Sequence, residues 1–86
     1  NLNLLKAHTG ARKTWHTITN VGDKLLFYDK NAGQLEVYKV KDDGNLHQLK
    51  AHNGIRKTWH TIGGFSDKLF FYDNTAGQME FYKIPY

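Results

Sequence analysis

The 86-residue chain is one unit written twice. Residues 1–42 lie over residues 45–86 without a gap, Asn1 on Asn45, Trp15 on Trp59, Asp23 on Asp67 and Tyr38 on Tyr82, and 26 of the 42 pairs are identical. Self-similarity at a fixed period of this length marks arrays, solenoids and propellers, in which each repeat is one supersecondary unit that cannot bury its apolar face alone. The chain therefore reads as a single domain of two tandem repeats, 1–44 and 45–86. Apolar positions mostly exchange for apolar residues: Leu26 for Phe70, Leu35 for Met79, Val37 for Phe81, Val40 for Ile84. The two copies are expected to share one core.

Each unit reads as four short strands. KLLFYDK and QLEVYKV flank an Asn-Ala-Gly, and NLHQLKAH and KTWHTI follow, with Gly-bearing turns at KDDGN and HNGIR. Leu, Phe, Tyr, Val and Thr dominate these runs, and no apolar periodicity of helical length is present. A three-residue loop Asn31-Ala32-Gly33 with Gly33 at positive φ is the common type I turn with a bulge. That loop pairs Tyr28 with Glu36, Phe27 with Val37 and Leu26 with Tyr38. One face would then carry Leu25, Phe27, Leu35 and Val37, and the other Leu26, Tyr28, Glu36 and Tyr38. Alternation along KTWHTI sends Trp15 and Thr17 to one side and His16 and Ile18 to the other.

A chain this short buries a marginal core by itself, and without cysteine no disulfide supplements it. Both predicted sheet faces are largely apolar, which asks for sheets stacked on both sides. A four-stranded unit of this length is the size of a propeller blade, and a propeller needs at least about four blades. The predicted fold is therefore all-β: two four-stranded propeller blades per chain, the ring completed by oligomerisation. The chain would open with the third and fourth strands of one blade and end after the first two of another. Such ends meet head to tail. Three chains, a homotrimer of six blades, are the expected assembly, and two chains with four blades the second choice. A small β-sandwich, monomeric or dimeric, is the alternative.

KLLFYDKNAGQLEVY and KLFFYDNTAGQMEFY, each preceded by RKTWHTI, resemble the repeat units of FG-GAP/VCBS-like and tachylectin-like propellers. The plan is similar to that of small propeller lectins whose two-blade chains assemble into rings. The resemblance implies one sugar site per blade, in the clefts between blades, and no cofactor. The Asp-x-Asp-x-Asp-Gly calcium loop of many FG-GAP repeats is missing. Its counterpart here, Asp29-Lys30-Asn31-Ala32-Gly33, has Thr75 in place of Asn31 in the second copy, so no metal is expected.

Polar and aromatic residues kept in both copies are the candidate binding residues. A sugar has an apolar C–H face and a ring of hydroxyls, so an indole beside an arginine and a carboxylate suits it. Trp15 and Trp59 would supply the indole, Arg12 and Arg56 a planar donor fork, and His16 and His60 a further donor. Glu36 and Glu80 would accept hydroxyls between the aromatic walls Tyr28 and Tyr38, or Tyr72 and Tyr82. The competing reading puts each tryptophan in the core and each glutamate on neighbouring tyrosines.

Two histidines per copy with Lys13 and a carboxylate could be drawn as acid–base chemistry. No nucleophile-elbow, phosphate-loop or metal-spacing motif accompanies them, so no catalytic residues are assigned. With 12 basic and 8 acidic side chains the formal charge is +4, spread over both copies. Arg12-Lys13 and Arg56-Lys57 make a polyanion-binding module the alternative, and a ligand-free structural or storage repeat the third class. No apolar run approaches the ~18 residues of a membrane span, and NLNLLKAHTG has no signal-peptide pattern. The expected function is multivalent recognition of cell-surface glycans by a secreted or surface-acting lectin, with self-association and without membrane insertion or nucleic acid as partner.

Overall fold

The computed structural model describes residues 3–85, so Asn1 and Leu2, with which the first repeat opens, and the final Tyr86 lie outside the described residues. Seven strands occur in chain order: β1 (Thr17–Val21), β2 (Lys24–Asp29), β3 (Gln34–Val40), β4 (Leu46–His52), β5 (Thr61–Phe65), β6 (Lys68–Asp73) and β7 (Gln78–Lys83). They form two antiparallel meanders, β1-β2-β3-β4 and β5-β6-β7. The all-β expectation holds. Among the described residues there is no helix long and apolar enough to cross a membrane.

Three expectations are corrected. First, the strand that follows Trp15 or Trp59 belongs to the hairpin after it and does not close the blade before it: β1 pairs with β2, and β5 with β6. The first sheet takes its fourth strand from the second repeat, because β3 offers a free edge to Leu46–His52. The equivalent residues 3–8 have no such edge beside them and form no strand, so the chain does not open with two strands of a blade. Second, KTWHTI is not a continuous strand. Its first two residues, Lys13 and Thr14, form a turn, and the ladder starts at Thr17 with a single leading bond from the His16 amide to the Tyr28 carbonyl (2.8 Å).

Third, the β2–β3 register differs by one residue from the predicted one. Phe27 lies opposite Glu36, Tyr28 opposite Leu35, Leu26 opposite Val37, and Asp29 opposite Gln34. The loop is four residues, Lys30–Gly33, with Gly33 at φ 65° as expected. The cause lies in the Asp29 side chain. Its carboxylate accepts the Ala32 amide at 3.2 Å and holds the loop open by one residue more than the bulged turn requires. A one-residue slip exchanges the two faces of a strand. The buried face is accordingly Leu26, Tyr28, Leu35 and Val37, while Phe27, Glu36 and Tyr38 share the other.

The sheets stack back to front. The back of the first sheet gives Val21, Leu26, Tyr28, Leu35 and Val37 to the core, and the front of the second gives Trp59, Ile62, Leu69 and Phe71. Leu49, Ile55 and Ile84 pack against this cluster. The interface is stitched by polar bonds at its periphery. The Tyr28 hydroxyl donates to the Arg56 carbonyl at 2.5 Å, and the Ile55 amide donates to the Gly33 carbonyl at 2.9 Å. Where β5 crosses β1, Gly64 is obligatory, since a side chain there would collide with the Asn20 carbonyl.

The outward faces are left without a partner. Ile18 on the front of the first sheet is 56% exposed, against 5% for its repeat equivalent Ile62. On the back of the second sheet Met79 and Phe81 are 55% and 60% exposed, against 5% and 1% for Leu35 and Val37. Leu26 has no exposed surface, and truncating it to alanine should cost about 2–5 kcal/mol by lost burial and cavity formation. Phe81→Ala should cost much less, because it removes area already in water. Urea denaturation of both variants checks the difference.

Candidate functional site

The site is built on the end of β2. Asp29 is 3% exposed and stands at the strand's last position. Its carboxylate accepts the Thr14 hydroxyl at 2.6 Å, the Arg12 guanidinium at 3.2 Å and the Ala32 amide at 3.2 Å. The Thr14 bond, foremost, with Ala32 and Arg12, holds its carboxyl below the usual aspartate range against the opposing effect of burial. This carboxylate folds the 11–16 segment back against the β2–β3 hairpin. Arg12, so anchored, also donates to Gln34 Oε1 at 2.7 Å and approaches Glu36 at 3.7 Å.

Pinning Arg12 positions the indole. The guanidinium carbon lies 4.4 Å from the Trp15 ring centre, a cation–π distance. Trp15 packs at 5.4 Å on Phe27, and Phe27 meets Tyr38 edge-on at 5.4 Å. The Tyr38 hydroxyl donates to Glu36 at 2.6 Å. Burial and this bond to a carboxylate push the phenol up to about 12, so it remains a donor. Together these side chains line a cavity of about 300 Å³, closed on another side by His8, Thr9 and Gly10.

The second repeat builds the same constellation from Asp73, Thr58, Arg56, Gln78, Glu80 and Tyr82. Thr58 donates to Asp73 at 2.6 Å, Arg56 lies 4.5 Å over Trp59, and Tyr82 donates to Glu80 at 2.5 Å. Its surroundings differ. The first sheet faces it, so it lines a larger cavity of about 480 Å³ between the sheets. Leu26, Leu35 and Val37 form one wall and Trp59 and Phe71 the other, with His52, Arg56, Glu80 and Tyr82 as the polar lining.

The candidate residues therefore divide. Arg12, Trp15, Glu36 and Tyr38 come together, as do Arg56, Trp59, Glu80 and Tyr82. Tyr28 does not join them; it lies on the opposite face, 1% exposed, and its hydroxyl is spent on the sheet-to-sheet bond. Tyr72 has the same orientation on the open back of the second sheet. His16 and His60 turn toward the hairpin loops, where Nδ1 accepts the Lys30 amide at 3.3 Å and the Asn74 amide at 3.2 Å. Trp15 is half-buried, whereas Trp59 is 6% exposed and belongs to the core. The core reading holds for Trp59, while Trp15 keeps accessible surface.

Residues outside the candidate set complete the site: Asp29 and Asp73, Thr14 and Thr58, Gln34 and Gln78, and the rings of Phe27 and Phe71. Their retention in both repeats was the available signal. The carboxylate oxygens of Asp29 and Asp73, at the calcium-loop position of the resembling repeats, accept from hydroxyl, guanidinium and amide donors. Among the described residues no three of His, Asp and Glu converge on a common point.

The lowered carboxyls of Asp29 and Asp73 set an acid sensitivity. A group with a depressed folded value stabilises fully above its unfolded value of about 3.9, and that stabilisation is lost as pH falls through the folded value. The melting temperature should fall steeply below about pH 4. An Asp29→Asn/Asp73→Asn variant should be less stable at neutral pH and lose less on acidification, a comparison made by thermal melts from about pH 2 to 7. The exposed Asp23, Asp43 and Asp67, also lowered by their donors, supply the remaining slope.

Compared with protein-family models, with curated proteins and with solved structures, the chain matches none.

Proposed function

We propose that the chain is a non-enzymatic carbohydrate-binding protein, a multivalent lectin with about one sugar site per repeat. The observation that carries this reading is the cavity between the sheets. Its volume of about 480 Å³ falls within the range of small-ligand pockets. Its apolar walls, Leu26, Leu35, Val37, Trp59 and Phe71, are themselves closed into the core. Its accessible lining is four convergent polar side chains, His52, Arg56, Glu80 and Tyr82. The more open indole is the half-buried Trp15, beside Arg12, Glu36 and Tyr38 in the first repeat's cavity. Aromatic surface takes the C–H face of a pyranose, and the guanidinium fork and carboxylate take its hydroxyls.

The sheets are read as two blades of a β-propeller, one four-stranded and one lacking its outer strand. Their back-to-front stacking supports this, since blades pack that way and the repeat period suits a blade. Further copies complete the ring: three chains for six blades, or two for four. Weak single sites on such a ring would gain roughly 10²–10⁴ in avidity on a glycan-bearing surface.

A polyanion partner is less well supported. Both arginines of the Arg-Lys pairs are engaged by aspartate, glutamate and glutamine, which leaves Lys13 and Lys57 to act as isolated cations.

A glycan array at physiological and at high salt tests the lectin reading, with a Glu36→Gln/Glu80→Gln variant alongside. Each substitution keeps an acceptor for the neighbouring tyrosine while removing the charge. Salt-resistant binding to a narrow set of neutral glycans, weakened at least about tenfold in the folded variant, is expected. Binding confined to sulfated or sialylated glycans and abolished by salt would replace the lectin reading with the polyanion one. Silence across the array would refute both.

A further inference from the structure

Two places in the chain set a side chain able to close a five-membered imide ring directly before a glycine, Asp43-Gly44 and Asn53-Gly54. Glycine presents its amide nitrogen with no Cβ to hinder the approach. The fold treats the two differently. The Gly44 amide donates to the Lys41 carbonyl at 2.9 Å, and the Asp43 carboxylate accepts the backbone and side-chain amides of Asn45 at 3.0 and 2.9 Å. Leu5 and Lys6 crowd the same glycine. Asn53 and Gly54 lie instead in the exposed loop between β4 and β5, and a Cβ added at Gly54 would meet no atom within 4 Å. Every other asparagine precedes a larger residue, and after Asn31 and Asn74 the next amide is already given to an aspartate carboxylate.

We infer that Asn53-Gly54 is a site of spontaneous deamidation, left open by the fold and assisted by Gln34. Gln34 Nε2 donates to Asn53 Oδ1 at 3.1 Å, and Gln34 is itself held by Arg12, which donates to its Oε1 at 2.7 Å. The donor therefore points at the oxygen on which negative charge develops when Asn53 Cγ is attacked, as in an oxyanion hole. In the reaction the Gly54 nitrogen gives its proton to solvent hydroxide and bonds to Cγ. The bond from Cγ to the side-chain nitrogen then breaks, and ammonia leaves with a proton from water. Water opens the resulting succinimide at either carbonyl. Attack at Cγ gives aspartate in an ordinary backbone. Attack at the α-carbonyl gives isoaspartate, whose backbone runs through Cγ and is longer by one methylene. Water is consumed and ammonia released, with no change in oxidation state.

The longer backbone falls on a span that is fixed at both ends. His52 is laddered to Leu35, and the Ile55 amide donates to the Gly33 carbonyl across the seam between the sheets. His52 and Gly54 also line the cavity there. Isoaspartate thus adds a methylene and a charge where the second sheet is tied to the first. Plain aspartate adds only the charge and keeps an acceptor for Gln34. The first repeat has Thr9 before Gly10 and lacks the reactive carboxamide, so the change is confined to one repeat. The inference is independent of the sugar reading.

Peptide mapping by mass spectrometry tests this, after incubation at mildly alkaline pH of the folded chain and, in parallel, of the chain unfolded in guanidinium chloride. The tryptic peptide 51–56 should convert to its aspartate and isoaspartate forms at least about tenfold faster than peptides holding Asn20, Asn31, Asn45 or Asn74, whose next residue carries a Cβ. Asp43 should isomerise at least about tenfold more slowly folded than unfolded, because its turn must first open. Asn53 should react at least as fast folded as unfolded. Gln34→Glu keeps the acceptor for Arg12 and presents no donor to Asn53. It should slow the folded reaction at least about threefold and leave the unfolded rate unchanged. The chain purified in its isoaspartate form should melt below the unmodified chain, while Asn53→Asp should melt with it. Protection of Asn53 by folding, or an unchanged folded rate in Gln34→Glu, would overturn the inference.

Discussion

The back of the first sheet and the front of the second bury one another, and neither has another core to rely on. Val21, Leu26, Tyr28, Leu35 and Val37 supply one side and Trp59, Ile62, Leu69 and Phe71 the other. A sheet with an apolar face must cover it, and at this chain length one shared seam is what two short sheets can build. Equivalent residues of the two repeats meet unequal environments across this seam. Ile62 is in the core and Ile18 in water; Trp59 is enclosed and Trp15 half-open. The stacking sets the asymmetry, and residue differences such as Gly64 for Asn20 and Ile55 for Ala11 accommodate it.

On this seam a second device acts locally and twice. Asp29 and Asp73 each gather a threonine hydroxyl, an arginine and the amides of the hairpin loop onto one carboxylate. Burying a carboxylate is costly unless its lone pairs are satisfied, and here each is met by donors from its own repeat. The same bonds turn the chain before β1 and β5, close the four-residue loops and stack each guanidinium on its tryptophan. The candidate constellation is therefore a by-product of how each hairpin is tied, and its rigidity comes from the tie.

That tie also limits what the polar groups offer a ligand. Arg12 and Arg56 have donors committed to aspartate and glutamine, and each glutamate accepts from a tyrosine on one oxygen while its other oxygen faces the arginine at 3.7–3.8 Å. The glutamates and the remaining guanidinium donors are the groups with capacity for hydroxyls. Aromatic surface is supplied by the half-buried Trp15 and Phe27 of the first repeat, whereas Trp59 and Phe71 are each 6% exposed and closed into the core. Such a site suits an amphipathic ring better than a bare charge.

Much of this was legible in the residues. The offset of 44 positions, the strand composition, the turn glycines and the retained Arg, Trp, Glu and Tyr all follow from local chemistry, and each reappears in the structure where the repeat places it. The hairpin register did not follow, because both faces of KLLFYD and QLEVYKV are apolar enough that alternation satisfies either pairing. A hydrogen bond from the Ala32 amide to the buried Asp29 carboxylate decided it, and with it which of Tyr28 and Phe27 shares a face with Glu36. Sheet membership did not follow either. NLHQLKAH can be a strand and its near-copy at 3–8 is not one, since a strand exists only where an edge is present to bond it. Local sequence determined the pieces and their internal ties; which pieces found a partner was decided by what the tertiary structure set beside them.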